Sequence, residues 1–195
     1  MSSITRRFTE AVGVPATLLP ATDDRLRTWV ETPAGEFPFQ EWFVARRHRD
    51  EVDGVRFEGA DTARPAPGVL DALDSADAIL IAPSNPFVSI GPIIAVTEIR
   101  AALARRRVPA VAVSPLIGGR TVKGPADRML ARLAGGTSPT HVASCYTDLI
   151  DALVIDEADA DGAKLPVRVV VTRTLMDGRE ARRRLADAAL SVPVA

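Results

Sequence analysis

Short, almost unbroken apolar runs alternating with helical segments constrain the fold of this chain most strongly. The clearest runs are Ala78–Ala82, Pro109–Val113, Leu153–Ile155 and Val167–Val171. Strands that are apolar at every position are buried on both faces, which is typical of a parallel sheet covered by helices. Amphipathic helices are predicted after the first two runs, over 92–106 and 125–133. The sequence therefore predicts an α/β fold with an open, mostly parallel sheet and helices on both faces.

The first 62 residues follow a different pattern. A short helix is predicted over 2–12, where Gly13 ends it. Alternation over 26–30, a turn at 33–35 and a returning strand predict a β-hairpin. We therefore predict an N-terminal helix and a small hairpin-bearing lobe over 1–62, followed by an α/β core over 63–195. The proline-rich segment Ala63–Gly68 marks the boundary.

Charge and cysteine content limit the possible partners and compartment. The chain carries 24 Lys and Arg against 25 Asp and Glu, a net charge of −1, which argues against nucleic acid or an anionic membrane as a partner. Cys145 is the only cysteine, so no intrachain disulfide can form and a reducing compartment is expected. No apolar stretch approaches the length of a spanning helix and no signal peptide is recognisable. We expect a cytoplasmic protein.

The loop after the first core strand has the groups needed to bind a phosphate. Ser84, Asn85 and Ser89 supply hydroxyl and amide groups, and Gly91 lets the backbone approach a ligand closely. The loop enters a helix at Pro92, and the amino end of a helix offers free N–H groups to an anion. The alternative is an ordinary strand-to-helix turn capped by Asn and Ser.

The loop after the second core strand is rich in glycine and carries cations. Gly118 and Gly119, with Arg120 and Lys123, are consistent with an anion cradle. The order Lys-Gly-Pro at 123–125 differs from the Gly-Lys-Ser/Thr of a Walker A loop. The alternative is a surface loop with solvated cations. Two such loops on neighbouring strands favour a nucleotide- or phosphate-binding core over 63–195.

A third candidate is the acidic segment at the end of the third core strand. Asp156 and Glu157 begin an Asp-Glu-Ala-Asp run, but without a Walker A loop the helicase interpretation fails. Capping of the following helix is the simpler interpretation. A role for Asp156 in binding a metal or a ribose is the weaker hypothesis. The residues alone identify no catalytic side chain.

The loops resemble those of a known family. The resemblance extends over nearly the whole chain. The segments that match in order along it are Thr22–Asp24, Gln40–Val44, Ala82–Ile93, Ser114–Gly119, Lys123–Asp127, Tyr146–Asp151, Val154–Asp159 and Thr172–Met176. On these motifs the chain resembles the 2-phospholactate transferase family of coenzyme F-420 biosynthesis. The resemblance implies an open, Rossmann-like sheet.

The same resemblance implies an activity. Members of that family take a guanosine diphosphate ester of lactate, or of enolpyruvate, and pass the phospholactyl or phosphoenolpyruvyl group to the deazaflavin Fo, releasing GMP. Mg²⁺ is the expected cofactor. By motif, Ser84, Asn85, Pro86, Ser89 and Gly91 are expected to contact the nucleotide.

Three further residues, Gly118, Gly119 and Lys123, are expected to support the same pocket. Family members begin with a strand, a loop of the type Gly-Gly-x-Gly-Gly and metal-binding aspartates, and no Gly-Gly precedes Gly118 in this chain. We therefore expect an N-terminally truncated fold whose main Mg²⁺ ligands lie in the missing segment. The expected protein partners are a second copy or a separate N-terminal polypeptide, and poor solubility is expected without one.

Two alternatives to a complete transferase stay open. In the first alternative, the chain is a non-catalytic nucleotide-binding fragment or subunit. In the second it belongs to the related gluconeogenesis-factor branch, whose loop of the type Gly-Ser-x-x-Thr-Ser differs from Pro83–Pro86. The second is the weaker alternative.

Overall fold

A four-stranded parallel sheet forms the centre of the computed structural model, which describes residues 1–13, 15–161 and 165–192. The helices are α1 (Ser2–Val12), α2 (Val69–Asp74), α3 (Gly91–Ile94), α4 (Thr97–Ala104), α5 (Ala126–Leu133), α6 (Pro139–Ser144) and α7 (Arg179–Leu190). The strands are β1 (Arg27–Thr32), β2 (Gly35–Pro38), β3 (Gly54–Glu58), β4 (Ile79–Ile81), β5 (Ala110–Val113), β6 (Leu116–Ile117), β7 (Arg120–Thr121), β8 (Ala152–Asp156) and β9 (Arg168–Thr172). Single helical turns at Glu41–Ala45, Pro86–Ile90 and Glu157–Asp159 complete the pattern.

The central sheet has the strand order β4-β5-β8-β9, and all its pairs are parallel. Every residue of β5 and β8 is buried, as the apolar runs Pro109–Val113 and Leu153–Ile155 predict. Alternate side chains enter two separate clusters: Ala112 and Leu153 pack against one, Val111 and Val154 against the other. Helices α4 and α6 cover the first face and α7 the second. The predicted α/β architecture is confirmed.

The small lobe is a three-stranded antiparallel sheet in the order β2-β1-β3. The apolar cluster of the lobe combines Val30, Trp42 and Val52 with Met129 of α5. The core of the lobe is therefore continuous with the larger part of the molecule. The boundary predicted at Ala63–Gly68 stays a prediction, because a shared cluster does not define where one domain ends.

Two local features differ from the sequence-based prediction. The helix predicted over 92–106 is divided into α3 and α4, with Val96 extended (ψ 112°) and completely buried between them. Val96 and Thr97 are β-branched and favour extended backbone, so the burial of Val96 is gained at the expense of helix continuity. The glycine-rich loop after β5 also contains a strand pair, β6–β7, that the sequence-based prediction missed.

Among the described residues, no single helix has the length and apolarity needed to cross a membrane. One pair of helical segments, Pro86–Ile94 and Thr97–Ala104, has the length and composition of a spanning segment when the two are taken together, but the pair is bent by 90°.

The shared cluster predicts that both parts unfold together. Trp29 and Trp42 lie in the lobe, so tryptophan fluorescence follows the lobe, whereas far-UV circular dichroism mainly follows the helices outside it. In urea both signals should give the same midpoint, and Met129→Ala should lower the free energy of unfolding by about 2–4 kcal/mol with both probes.

Met176→Ala is the matched control, because Met176 is 44% exposed and its truncation should cost less than about 0.5 kcal/mol. Separate midpoints for the two probes, with Met129→Ala shifting only one of them, would contradict a shared core.

Candidate functional site

A cavity of about 540 Å³ opens where β4, β5 and β9 end. In an open parallel sheet, ligands bind beyond the carboxyl ends of the strands. The described residues that line it are Phe39, Phe43, Pro83, Ser84, Asn85, Val88, Ser89, Ser114, Pro115, Ile117, Thr121, Val122, Lys123, Gly124, Pro125, Ala126, Thr174, Leu175 and Met176. We call this space the strand-end cavity.

The loop after β4 contributes two serine hydroxyl groups to the strand-end cavity. Ser84 is partly exposed and Ser89 exposed, and both line the wall. Neither hydroxyl forms a hydrogen bond within the part of the chain that the structure describes. Both donors are therefore available to a ligand, as the sequence analysis expects for these residues.

Asn85 lines the strand-end cavity, but its side chain is already engaged. Its Oδ1 accepts hydrogen bonds from the N–H groups of Phe87 (2.9 Å) and Val88 (3.3 Å), which caps the turn Pro86–Ile90. Its Nδ2 lies 3.2 Å from the Sδ of Met129. The structure thus gives Asn85 the role of shaping the loop, which the capping alternative anticipated, in addition to its place on the wall.

Pro86 and Gly91 lie outside the cavity lining. Pro86 is buried at the start of its turn. Gly91 is buried against the ring of Phe57, and a β-carbon there would lie 2.8 Å from Phe57 Cζ. The close approach expected at Gly91 is therefore made by an aromatic ring of the lobe, and the geometry gives no support for contact with a ligand.

The hairpin β6–β7 places Lys123 on the opposite wall. Gly118 and Gly119 form its two-residue turn and lie outside the lining, and their N–H groups donate to the carboxylate of Asp159 at 3.0 and 2.7 Å. The anion cradle expected at these glycines therefore holds a side chain of the protein itself. Lys123 is exposed and is the single charged residue among the described residues of the lining.

The amino end of α5 also faces the strand-end cavity. Pro125 and Ala126 line it at the start of this eight-residue helix. The helix dipole places partial positive charge there, which adds to the charge of Lys123. Asp127 in the first turn of α5 lies outside the lining and accepts a hydrogen bond from the N–H of Arg128 at 2.8 Å, so it is mainly the charge of Lys123 that makes this side of the cavity favour an anion.

The other side of the strand-end cavity is apolar. The rings of Phe39 and Phe43 are stacked with centroids 5.3 Å apart. Leu175 and Met176, which follow β9, are 41% and 44% exposed. In the sequence, Leu175 and Met176 stand out only as part of the segment that carries the resemblance; their apolar character in a loop was the signal available.

Asp156 lies behind this wall, 7% exposed at the end of β8. Its Oδ2 accepts from the N–H (2.7 Å) and Oγ1 (3.0 Å) of Thr174, and its Oδ1 accepts from the N–H of Ala158 (3.0 Å). Burial acts to raise the pKa of Asp156, but these hydrogen bonds, together with the charge of Arg173, outweigh it and hold the pKa below the usual range. The carboxylate is therefore ionised at neutral pH, and both of its oxygens already accept hydrogen bonds.

The described residues do not assemble a metal site. No group of three or more His, Cys, Asp or Glu side chains among residues 1–13, 15–161 and 165–192 is placed to hold an ion. Asp156 already accepts three hydrogen bonds, and the weaker hypothesis of a metal there stays a prediction.

The cap made by Asn85 predicts a specific stability pattern. Asn85→Ala leaves the N–H groups of Phe87 and Val88 without their acceptor and should lower the free energy of unfolding by about 1–2 kcal/mol. Asn85→Ser and Asn85→Asp keep an acceptor and should lose less than half as much. Urea denaturation measures all three, and equal stability of Asn85→Ala and Asn85→Ser would show that the cap is unimportant.

The buried carboxylate of Asp156 predicts a pH dependence. Because its folded-state pKa lies below the ordinary 3.8, its ionised form stabilises the fold above that pH, and the contribution is lost as the pH falls through the folded pKa. Wild type should therefore lose stability more steeply than Asp156→Asn between about pH 5 and pH 2. The exposed neighbour variant Glu157→Gln should keep the wild-type slope. Parallel profiles for wild type and Asp156→Asn would contradict this assignment.

Comparisons with known proteins place this geometry in a family. The chain is 39% identical over 184 residues to a 2-phospho-L-lactate transferase of Methanococcoides burtonii, covering 92% of the chain and 60% of the relative. It is 41% identical over 197 residues to a phosphoenolpyruvate transferase of Thermobifida fusca, covering 98% and 61%. The chain thus spans about three fifths of the length of the curated relatives it matches.

Solved structures agree on the fold. A UPF0052-family protein of Bacillus halodurans superposes with a TM-score of 0.66 at 15% identity, covering 95% of this chain and 65% of that one. At that identity the likeness concerns the fold alone. The model of the family described as "2-phospho-L-lactate transferase CofD" matches residues 1–183. The match extends over the lobe, the sheet and the strand-end cavity, and the chain therefore belongs to the 2-phospho-L-lactate transferase CofD family.

Proposed function

We propose that this chain supplies the nucleotide-binding part of a transferase of coenzyme F-420 biosynthesis. The observation that carries the proposal is the convergence of Ser84, Ser89 and Lys123 with the amino end of α5 on one cavity. These groups lie beyond the carboxyl ends of three parallel strands, and the serine hydroxyls have no other hydrogen bond in the described structure. Family membership supplies the class of ligand.

The donor is a guanosine diphosphate ester of lactate or of enolpyruvate. Its diphosphate binds on the polar side of the strand-end cavity, where Lys123 neutralises charge and the two serines donate hydrogen bonds. One relative is named a 2-phospho-L-lactate transferase and the other a phosphoenolpyruvate transferase, and this chain is about equally identical to both. Both donor esters are therefore included in the assay. The proposed compartment is the cytoplasm, as expected from a single free cysteine.

The acceptor is the deazaflavin Fo, a planar ring carrying a hydroxylated side chain. The stacked Phe39 and Phe43 and the apolar Leu175 and Met176 form the side of the cavity suited to a flat ring. A ring on this side brings a ribityl hydroxyl toward a diphosphate on the other. Holding the two reactants in one cavity is the main contribution that binding groups make to phosphoryl transfer.

The transfer itself exchanges one bond to phosphorus for another. The ribityl oxygen of Fo attacks the phosphorus that carries the lactyl or enolpyruvyl group, and the bridging P–O bond breaks, so that GMP leaves with the electron pair. The hydroxyl proton is released. Lys123 and the α5 amino end face the oxygens on which negative charge accumulates, and donors of this kind stabilise such a transition state.

Mg²⁺ is expected from the family resemblance and stays a prediction. Divalent cations neutralise diphosphate charge in reactions of this class. The described residues do not form a site for the ion, so no step above is assigned to it.

Nucleotide binding without turnover is the second candidate function. The described residues of the wall supply hydrogen-bond donors, one ammonium group and apolar surface. All of these can bind a ligand. The two candidates share the strand-end cavity and differ in whether GMP is released.

The charge of Lys123 leads to a prediction of how mutation changes the affinity of the strand-end cavity for GDP. Lys123→Ala should weaken GDP binding about tenfold, because a charge-assisted hydrogen bond to phosphate is lost. Arg120→Ala removes the same charge from the neighbouring hairpin, at an exposed position outside the lining, and should change affinity less than twofold. Isothermal titration calorimetry measures both, and equal losses for the two variants would contradict a specific contact.

Turnover is tested with the same protein, each donor ester, Fo and Mg²⁺. Release of GMP together with phospholactylated or phosphoenolpyruvylated Fo supports the transferase. GDP binding without GMP release supports the second candidate, and saturable binding of neither GDP nor donor would contradict both.

A further inference from the structure

One three-residue turn holds two walls of the strand-end cavity from behind. The turn Glu157–Asp159 follows β8 directly, and Asp156 is its N-cap. The carboxylates of Asp156 and Asp159 bind two different segments of the chain, 18 and about 40 residues away in sequence. Neither aspartate lies among the residues lining the cavity.

Asp159 binds the tip of the β6–β7 hairpin. Its two oxygens accept one hydrogen bond each, from the N–H groups of Gly118 (3.0 Å) and Gly119 (2.7 Å). Both glycines have positive φ, 59° and 71°, which directs consecutive N–H groups to the same side of a two-residue turn. A carboxylate is the strongest acceptor a side chain can offer to such a pair.

The hairpin is very short and depends on contacts outside its own ribbon: Leu116 at its base is completely buried in the core, and Asp159 holds its tip. It consists of two residue pairs, Leu116 with Thr121 and Ile117 with Arg120, and an isolated ribbon of this size is unstable in water. At the end of β7 the Oγ1 of Thr121 donates to the carbonyl of Gly124 at 3.0 Å. A continuous set of contacts therefore runs from Asp159 through the hairpin to the loop that carries Lys123.

Asp156 binds the other wall. Its Oδ2 accepts both the backbone N–H and the hydroxyl of Thr174, and both residues are more than nine-tenths buried. Thr174 is followed directly by Leu175 and Met176, which line the apolar side of the cavity. The carboxylate thus fixes the point at which the chain leaves β9 and enters the site.

We propose that Asp156 and Asp159 are positioning residues: Asp159 holds the Lys123 wall and Asp156 holds the Leu175–Met176 wall, so that the cavity is formed before a ligand arrives. Walls ordered in advance reduce the entropy lost on binding. The part of this inference that concerns ligand affinity rests on the proposed function, whereas the part that concerns the walls does not.

Amide hydrogen exchange in the free protein tests the walls directly. In Asp159→Ala, the amides of Gly118 and Gly119 should exchange at least about tenfold faster, with no change at Thr174. In Asp156→Asn, the amide of Thr174 should exchange faster, with no change at Gly118 and Gly119. Asp159→Asn keeps one acceptor and should give an intermediate effect. Glu157→Gln removes one charge from the same turn and should match wild type.

Affinity for GDP is the second measurement. Asp159→Ala should raise its dissociation constant about tenfold, with Asp159→Asn between this variant and wild type. Unchanged exchange at Gly118 and Gly119 in Asp159→Ala overturns the proposal, and so does faster exchange without loss of GDP affinity. Faster exchange throughout the molecule in both the Asp159→Asn and Asp156→Asn variants would assign the aspartates to general stability and overturn it as well.

Failure of the proposed function has a different signature. Wild-type protein would then not bind GDP, while the separate responses at Gly118–Gly119 and at Thr174 would still establish or refute the anchoring of each wall.

Discussion

The pairing of β5 with β8 at the centre of the parallel sheet is the constraint on which the rest of the structure depends. Both strands are buried along their whole length, and their alternate side chains form the two apolar clusters that attach the helices. Because the pairing is parallel, the chain must leave each strand at the same edge of the sheet. The loops that carry Ser84, Ser89 and Lys123 are therefore brought together by sheet topology.

At this edge some polar groups have no hydrogen-bond partner among the residues that the structure describes, and others are satisfied internally. The hydroxyls of Ser84 and Ser89 are left for a ligand, whereas the N–H groups of Gly118 and Gly119 are taken by Asp159. Donors that already have acceptors give the cavity its shape, and donors without acceptors are the ones that can contribute affinity. This distinction separates the residues that form the cavity from those that we propose bind within it.

The sequence predicted the strands and the strand-end site because both depend on local information. A run such as Leu153–Ile155 can be recognised as buried without knowing its neighbours, and a polar loop after it lies at the functional edge of a parallel sheet. Ser84, Ser89 and Lys123, which were expected at the nucleotide site, lie on the wall of the strand-end cavity, and their roles there stay predictions.

The remaining features depend on partners distant in sequence. Nothing near Gly118 indicates that Asp159 occupies its N–H group, and nothing near Gly91 indicates that Phe57 packs against it. The break at Val96 likewise results from its burial in the core, which competes successfully with helix continuity. At Gly91, Gly118 and Gly119 the contacts that the structure shows are with the protein's own residues, and contact of these glycines with a ligand stays a prediction.

The most direct test of this account is a titration of isotope-labelled protein with GDP, followed by amide chemical shifts. The account predicts saturable shifts that are largest at Ser84, Ser89, Lys123 and Gly124, on the polar side of the strand-end cavity. A second cavity of about 760 Å³ lies at the opposite, amino ends of the strands, lined by Val108, Asp148 and Asp151 among others. Shifts concentrated at that second cavity, or no saturable shifts, would contradict the assignment of the nucleotide to the carboxyl ends of the strands.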